Sequence, residues 1–128
     1  MKSKLILIVD DDADTREVFS QFLVHHGYQV ATAFTGEQAM QALRQELPDL
    51  VVMDLAIPSV DGWTLTTLLK GDQRTRHVPI VVVSAHVEKE DRARAERAGC
   101  DAFLGKPCRP QTLLATVQGL LEAGGAGG

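Results

Sequence analysis

Short runs of apolar residues alternate with segments of helical periodicity along the chain. Five runs have the length of a strand, at residues 5–9, 28–33, 50–53, 80–83 and 102–104. Four segments between and after them carry apolar residues at helical spacing. These stripes are Val18, Phe19, Phe22 and Leu23; Ala39, Met40 and Leu43; Leu65, Leu68 and Leu69; and Leu113, Leu114, Val117, Leu120 and Leu121. Residues 89–98 have helical propensity but carry mainly alanines and charges, so we expect this helix to pack lightly.

Five strands that alternate with five helices predict a doubly wound α/β fold with a parallel sheet, because right-handed crossovers place helices on both faces. The first, third and fourth strands are continuously apolar, as expected of strands covered on both sides. The second strand alternates and the fifth is short, which is typical of edge strands. A strand order of 2-1-3-4-5 satisfies this pattern and is a common doubly wound arrangement.

The length of 128 residues fits one domain, which we place at residues 1–122 and follow with a flexible glycine-rich tail at residues 123–128. The formal net charge is -4 and the chain has no Lys/Arg run, which argues against direct binding of nucleic acid. The apolar runs are too short to span a membrane and no signal-peptide pattern is present, so we expect a cytoplasmic protein without a membrane partner. Cys100 and Cys108 stand apart, which favours neither a zinc site nor a disulfide scaffold.

Polar residues follow the predicted strands at their carboxyl ends, where parallel sheets bind ligands. They are Asp10, Asp11 and Asp12 after the first strand, Asp54 after the third, Ser84 after the fourth and Lys106 after the fifth. Carboxylates held close together repel one another, so such a cluster normally needs a cation. Hard oxygen ligands favour Mg²⁺ (or Mn²⁺) over Zn²⁺.

These groups suit phosphoryl transfer. Asp54 would attack phosphorus, the metal ion and Lys106 would neutralise the phosphoryl oxygens, and Ser84 would donate a hydrogen bond to one of them. Each residue alone has an ordinary structural explanation, so the interpretation depends on their meeting at one edge of the sheet. We expect Asp14 and Asp61 to be helix N-caps.

The same residues resemble the receiver domain of two-component response regulators, over residues 5–122 and in the order that this family shows. "IVDDD" resembles the acidic pair of the family, "VVMDLAIPSVDG" its phosphorylation segment around Asp54, and "VVVSA" and "FLGKP" the segments of Ser84 and Lys106. The resemblance implies a flavodoxin-like receiver fold and a sensor histidine kinase or histidine phosphotransfer protein as phosphoryl donor. It implies no enzyme activity beyond the domain's own phosphorylation and dephosphorylation.

The resemblance also implies how the metal ion is held. Mg²⁺ would bind Asp11, Asp54 and the backbone carbonyl of Ala56, with Asp10 acting through a metal-bound water. The Lys106–Pro107 peptide bond is expected to be cis, in keeping with the proline requirement for such bonds.

A switch is implied as well. Ser84 would move toward the phosphoryl group and Phe103 would turn inward, which remodels the surface of the fourth helix, fifth strand and fifth helix for a downstream protein target. Ala56 and His86 occupy positions that flank the hydrolytic water in the family, so they are expected to modulate the phosphoryl lifetime. The domain would be a monomer or a weak phosphorylation-dependent dimer.

Three alternative functions can be considered for the same residues. A haloacid-dehalogenase-like phosphatase would use Asp10 as nucleophile, but it needs a late acidic pair and Glu122 is the single acid after Lys106. A calcium loop would use Asp10, Asp12 and Asp14, but Thr15 replaces its glycine. A receiver-like binding module that is never phosphorylated is the third. The chain could equally be a stand-alone regulator or a domain of a hybrid histidine kinase or larger regulator.

Overall fold

The computed structural model describes the backbone of residues 3–127 and the side chains of residues 3–123. In chain order its elements are β1 (Leu5–Val9), α1 (Ala13–His25), β2 (Gln29–Ala33), α2 (Gly36–Gln45), β3 (Leu50–Met53), α3 (Gly62–Gly71), β4 (Ile80–Ser84), α4 (Lys89–Ala98), β5 (Ala102–Gly105) and α5 (Pro110–Gly127). The strands form one parallel sheet in the order β2-β1-β3-β4-β5. The predicted fold class and strand order are therefore confirmed.

The sheet separates two apolar cores, because alternate residues of a strand point to opposite faces. Ile6 and Ile8 of β1 pack with the buried residues of α1 and α5. Leu7 and Val9 of the same strand pack with those of α2 and α3. Every residue of β3 and β4 is buried, which explains why these strands are apolar throughout.

Val18 and Leu68 belong to the predicted helical stripes but are exposed. Val18 and Leu68 are each 50% exposed, whereas their neighbours Phe19 and Leu69 are each 5% exposed. Successive residues of an α-helix are about 100° apart around its axis, so the residue beside a buried one turns toward the edge of the stripe. The light packing predicted for α4 is confirmed, since Ala95 is its one buried residue.

The N-cap of α1 is Asp12 rather than Asp14, so that prediction was wrong. The Asp12 carboxylate accepts a hydrogen bond from the Thr15 amide at 3.1 Å, while Asp14 lies within the first turn. An N-cap needs extended backbone and a side chain that reaches the amide three residues on, and Asp12 meets both conditions. Asp61 caps α3 as predicted, through the Thr64 amide at 2.8 Å.

Helix α5 continues to Gly127, so helical backbone enters the segment for which the sequence predicts a flexible tail. Glycine disfavours a helix but keeps its N–H, and a helix that is already formed extends at one hydrogen bond per residue. The expectation that this segment holds no helix is thus corrected as far as Gly127. Gly128 and the side chains beyond residue 123 lie outside the described part, and the predicted mobility of the tail stays a prediction.

None of the helices in the described part of the chain has the length and apolar character needed to cross a bilayer.

Gly62, at the start of α3, is predicted to tolerate no side chain. An added Cβ would lie 2.4 Å from the Asp54 carbonyl oxygen and 2.6 Å from the Leu55 Cα, and backbone atoms cannot yield as a flexible side chain does. Gly62→Ala should therefore lower the free energy of unfolding by about 1–3 kcal/mol, measured by urea denaturation.

Gly119 is the matched control, because nothing lies within 4 Å of an added Cβ there and the residue sits inside helix α5. Gly119→Ala should raise the free energy of unfolding by roughly 0.5–1 kcal/mol through helix propensity. Equal stability of the two variants would contradict the close approach of α3 to the end of β3.

Candidate functional site

Strand pairing carries three charged side chains to one edge of the sheet. The Asp10 amide donates to the Ala33 carbonyl at 3.0 Å, and the Asp54 amide donates to the Val9 carbonyl at 2.9 Å. The Lys106 amide donates to the Ser84 carbonyl at 2.8 Å. Each bond extends a strand pairing by one residue, so the backbone positions of Asp10, Asp54 and Lys106 are fixed by the sheet.

Three carboxylates meet at this edge. One oxygen each of Asp10, Asp11 and Asp54 lie within 4.8 Å of one another. Oxygens on opposite sides of one Mg²⁺ are about 4.2 Å apart, because Mg²⁺–oxygen distances are about 2.1 Å. The all-oxygen donor set suits Mg²⁺, which usually keeps several waters, so carboxylates at this spacing can reach one ion directly or through water.

The carboxylates differ in their surroundings. Asp10 is 3% exposed and Asp54 is 6% exposed, whereas Asp11 is exposed. The Asp10 carboxylate accepts one hydrogen bond from the Asp12 amide at 2.9 Å and another from Lys106 at 2.9 Å. The side chain of Asp11 makes no hydrogen bond within the described residues. Asp11 is therefore the carboxylate most free to bind an ion directly.

Lys106 bridges the two buried carboxylates. Its Nζ lies 2.9 Å from Asp10 Oδ2 and 3.3 Å from Asp54 Oδ2. Burial acts to lower the pKa of Lys106, but the hydrogen bond to Asp10 and the charges of Asp54 and Asp10 outweigh it and raise that pKa. The two carboxylates thus favour the charged form of Lys106.

Burial raises the pKa of Asp54, and the neighbouring charge of Asp10 raises it further, while Lys106 and the Ala56 amide oppose the shift. The Ala56 amide lies 3.4 Å from Asp54 Oδ1. One ammonium is thus too little to neutralise this cluster fully. A further cation would lower the free energy of the ionised form of Asp54.

The loop after β3 is fixed by contacts with the start of α2. The Gly36 amide donates to the Pro58 carbonyl at 2.9 Å, and the Glu37 amide donates to Ser59 Oγ at 3.0 Å. Ser59 has a φ of 72°, an uncommon left-handed conformation for a residue other than glycine. The conformation of the loop beside Asp54 is therefore stabilised by hydrogen bonds from the start of α2.

Ser84 and His86 form a second part of the edge. Ser84 is fully buried, and its Oγ accepts a hydrogen bond from the His86 amide at 3.0 Å. The His86 and Trp63 rings make an edge-to-face type of contact at a centroid distance of 6.1 Å. Within the described residues Ser84 makes no hydrogen bond with the carboxylates, so the structure places it beside the cluster rather than in it.

Phe103, on β5, is half-buried, and the Arg92 guanidinium of α4 lies 4.7 Å from its ring centroid. The Lys106–Pro107 peptide bond is cis, as the family resemblance implies.

Arg16 was missed by reasoning from the sequence. Its guanidinium donates to the Asp10 carbonyl oxygen at 2.9 Å and lies 5.1 Å from the centroid of the Phe34 ring. It therefore ties the first turns of α1 to the strand end that carries the acids. The signal available in the sequence was an arginine six residues after the first acid, which is too common to single out.

Comparisons with known proteins agree with this geometry. A family model described as "Response regulator receiver domain" matches residues 6–118. The chain is 31% identical over 119 residues to the polar-differentiation response regulator DivK of Brucella ovis, covering 93% of this chain and 97% of the relative.

Two solved structures are also similar. A receiver domain protein described as CheY-like from Methanospirillum hungatei matches with a TM-score of 0.93 and 27% identity, over 99% of this chain and 100% of the other. The receiver domain of sensor histidine kinase PA1611 from Pseudomonas aeruginosa matches with a TM-score of 0.86 and 27% identity, over 94% of this chain and 99% of the other. That structure has a magnesium ion coordinated in its active site cleft.

Asp54→Asn is predicted to raise the free energy of unfolding at neutral pH in metal-free buffer, because it removes a carboxylate whose ionised form is disfavoured in the folded state. Between the ordinary pKa and the raised pKa of Asp54, the folded state binds more protons than the unfolded state, so wild-type stability falls as pH rises. The advantage of the variant should shrink as the pH is lowered through this interval. Urea denaturation at several pH values measures it, with exposed Asp14→Asn as the control that should give no such gain. A variant less stable than wild type at neutral pH would contradict this electrostatic balance.

Proposed function

The chain belongs to the response regulator receiver domain family of two-component signalling, and from this premise we propose that it accepts a phosphoryl group on Asp54. An Asp54 carboxylate oxygen attacks phosphorus and forms the P–O bond. The P–N bond to a donor histidine breaks, and the histidine nitrogen keeps the electron pair. The observation that carries this proposal is the single ammonium of Lys106 between Asp10 and Asp54, with Asp11 beside them.

Lys106 would neutralise the phosphoryl oxygens as charge develops on them. Its ammonium nitrogen lies 3.3 Å from Asp54 Oδ2, so it needs little rearrangement to reach a group attached there. Preorganised charge of this kind is the main protein contribution to phosphoryl transfer.

Mg²⁺, or Mn²⁺, would bind Asp11, Asp54 and the backbone carbonyl of Ala56, and would polarise the phosphoryl group when bound. Both oxygens of Asp10 already have partners in Asp12 and Lys106, which supports contact with the ion through water. Asp11 is exposed and has no competing hydrogen bond within the described residues, which supports direct contact.

The switch would begin at Ser84. Its Oγ, which accepts a hydrogen bond from the His86 amide, would move to donate its own proton to the phosphoryl group, and Phe103 would turn inward into the space that Ser84 leaves. The surface of α4, β5 and α5 would then present a new face to a downstream protein target. Ala56 and His86 are exposed beside Asp54 and Ser84, which supports a role in access of the hydrolytic water.

The donor would be a sensor histidine kinase or a histidine phosphotransfer protein. We place the protein in the cytoplasm, as a monomer or a weak phosphorylation-dependent dimer, without direct contact with nucleic acid. Its chemistry would be confined to its own phosphorylation and dephosphorylation. In the rival phosphatase, Asp12 would be the second catalytic acid, and the structure uses this side chain as the cap of α1.

Incubation with acetyl phosphate and Mg²⁺ is predicted to add one phosphoryl group to Asp54, detected by intact mass and located by peptide mapping. Asp54→Asn should abolish the addition, because its amide is a poor nucleophile. Asp14→Asn, which removes an exposed carboxylate outside the cluster, should be phosphorylated as wild type is.

The contrary outcomes point to different functions. A phosphoryl group found on Asp10, or phosphatase turnover that persists in Asp54→Asn, would favour the phosphatase. A folded protein that gains no phosphoryl group from either acetyl phosphate or histidine-phosphorylated donors would favour the binding module.

Asp11→Asn is predicted to weaken Mg²⁺ binding by roughly tenfold or more, since it removes a direct carboxylate ligand. Isothermal titration calorimetry measures the dissociation constant. Asp12→Asn is the matched control, because the Asp12 carboxylate is next to Asp11 in the chain but caps α1. This variant should keep an affinity for Mg²⁺ within a small factor of wild type. An equal loss in both variants would point to general electrostatics rather than ligation.

A further inference from the structure

A cleft of about 230 Å³ lies between α3 and α4, away from the carboxylate cluster. Three residues of α3 and three of α4 line it: Trp63, Thr64, Thr67, Arg94, Arg97 and Ala98. Two of the six are arginines and none is acidic. The lining therefore carries positive charge without an internal counter-charge.

The arginines are free to bind a ligand. Neither Arg94 nor Arg97 forms an ion pair or a side-chain hydrogen bond within the described residues. The Arg94 guanidinium lies over the Trp63 ring, 4.3 Å from its centroid. Stacking on an aromatic face fixes a guanidinium while leaving its N–H groups available in their own plane.

The polar groups of this cleft are short of acceptors. Guanidinium groups and the indole N–H are donors without acceptor capacity. The Trp63 Nε1, buried beside the cleft, also finds no acceptor among the described residues. The hydroxyls of Thr64 and Thr67 donate to Asp61 and to the Trp63 carbonyl, so they do not relieve the shortage for the arginines.

We propose that the cleft between α3 and α4 binds a small oxyanion, a phosphate or a carboxylate, between Arg94 and Arg97 beside Trp63. Such a group supplies several acceptor oxygens, and the guanidinium fork matches phosphate and carboxylate geometry. This binding site lies outside the carboxylate cluster, requires no metal ion and does not depend on phosphorylation of Asp54.

Occupancy would stabilise the position of α4. Ala95 is the one buried residue of this helix, so its attachment to the sheet is weak. An anion held by two α4 arginines beside an α3 tryptophan would add a contact between the two helices. Amide hydrogen exchange in α4 should therefore slow when the ligand is bound.

The test is a titration followed by the indole N–H resonance of Trp63, which is the single tryptophan of the chain. Metal-free protein is titrated with inorganic phosphate in one arm and succinate in another, with sodium chloride at matched ionic strength as reference. We expect a saturable shift of the indole resonance and slower exchange in α4. Saturation by phosphate, by succinate or by both supports the site and identifies the anion class.

Variants distinguish binding by the two cleft arginines from nonspecific attraction of anions by the net charge of the protein. Arg94→Gln and Arg97→Gln should each weaken binding roughly tenfold, the effect of losing one charge-assisted hydrogen bond of about 1.4 kcal/mol. Arg94→Lys keeps the charge but loses the planar fork, so it should also bind more weakly than wild type. Arg44→Gln, on the exposed face of α2, removes the same charge elsewhere and should bind as wild type does.

Three results would overturn the proposal. One is a linear shift that chloride reproduces at the same ionic strength. Another is unchanged affinity in folded Arg94→Gln and Arg97→Gln variants. The third is an equal loss in Arg44→Gln, which would assign the effect to net charge.

Discussion

The ion pairs of Lys106 with Asp10 and Asp54 are the interaction on which the candidate site depends. Parallel strands carry two carboxylates to neighbouring positions, where they repel each other, and burial removes the water that would screen them. The ammonium lies 2.9 and 3.3 Å from them and offsets part of this cost. The repulsion and the cost of burial that Lys106 does not offset raise the pKa of Asp54. Further positive charge at this edge of the sheet would relieve the remaining repulsion between the carboxylates.

The sheet and most of the candidate site could be predicted from the sequence, and both predictions have the same physical basis. Strands buried on both faces must be apolar throughout, so β1, β3 and β4 are recognisable, and topology then brings together whatever follows them. Asp54 and Lys106 are 52 residues apart in the chain, yet their meeting required knowledge of strand order alone. Two of the errors concern single turns: Asp12 caps α1 instead of Asp14, and Val18 lies at the edge of its stripe. Cap choice and stripe edges depend on backbone angles that periodicity does not determine.

Other features could not be predicted because they join side chains across loops. Arg16 reaches the Asp10 carbonyl and Phe34, and Trp63 lies between His86 and Arg94. None of these contacts belongs to a repeating pattern, and each residue taken alone looks like a surface side chain. They depend on where the loops after β1, β2, β3 and β4 end, which is a property of tertiary packing.

Helix α4 connects these observations. It contributes one buried alanine to the core, and its other attachments include Arg92 over Phe103 and Arg94 over Trp63. A cation–π contact at an exposed site is worth about 0.5–1 kcal/mol, so the two together are comparable to one tenfold change in an equilibrium constant. Leu65 and Leu69, by contrast, fix α3 in the core. A ligand or a covalent group with a preference of a few kcal/mol can therefore displace α4 while the sheet and α3 stay in place. Since both arginine contacts are on this helix, a ligand that engages either arginine acts on a weakly held element.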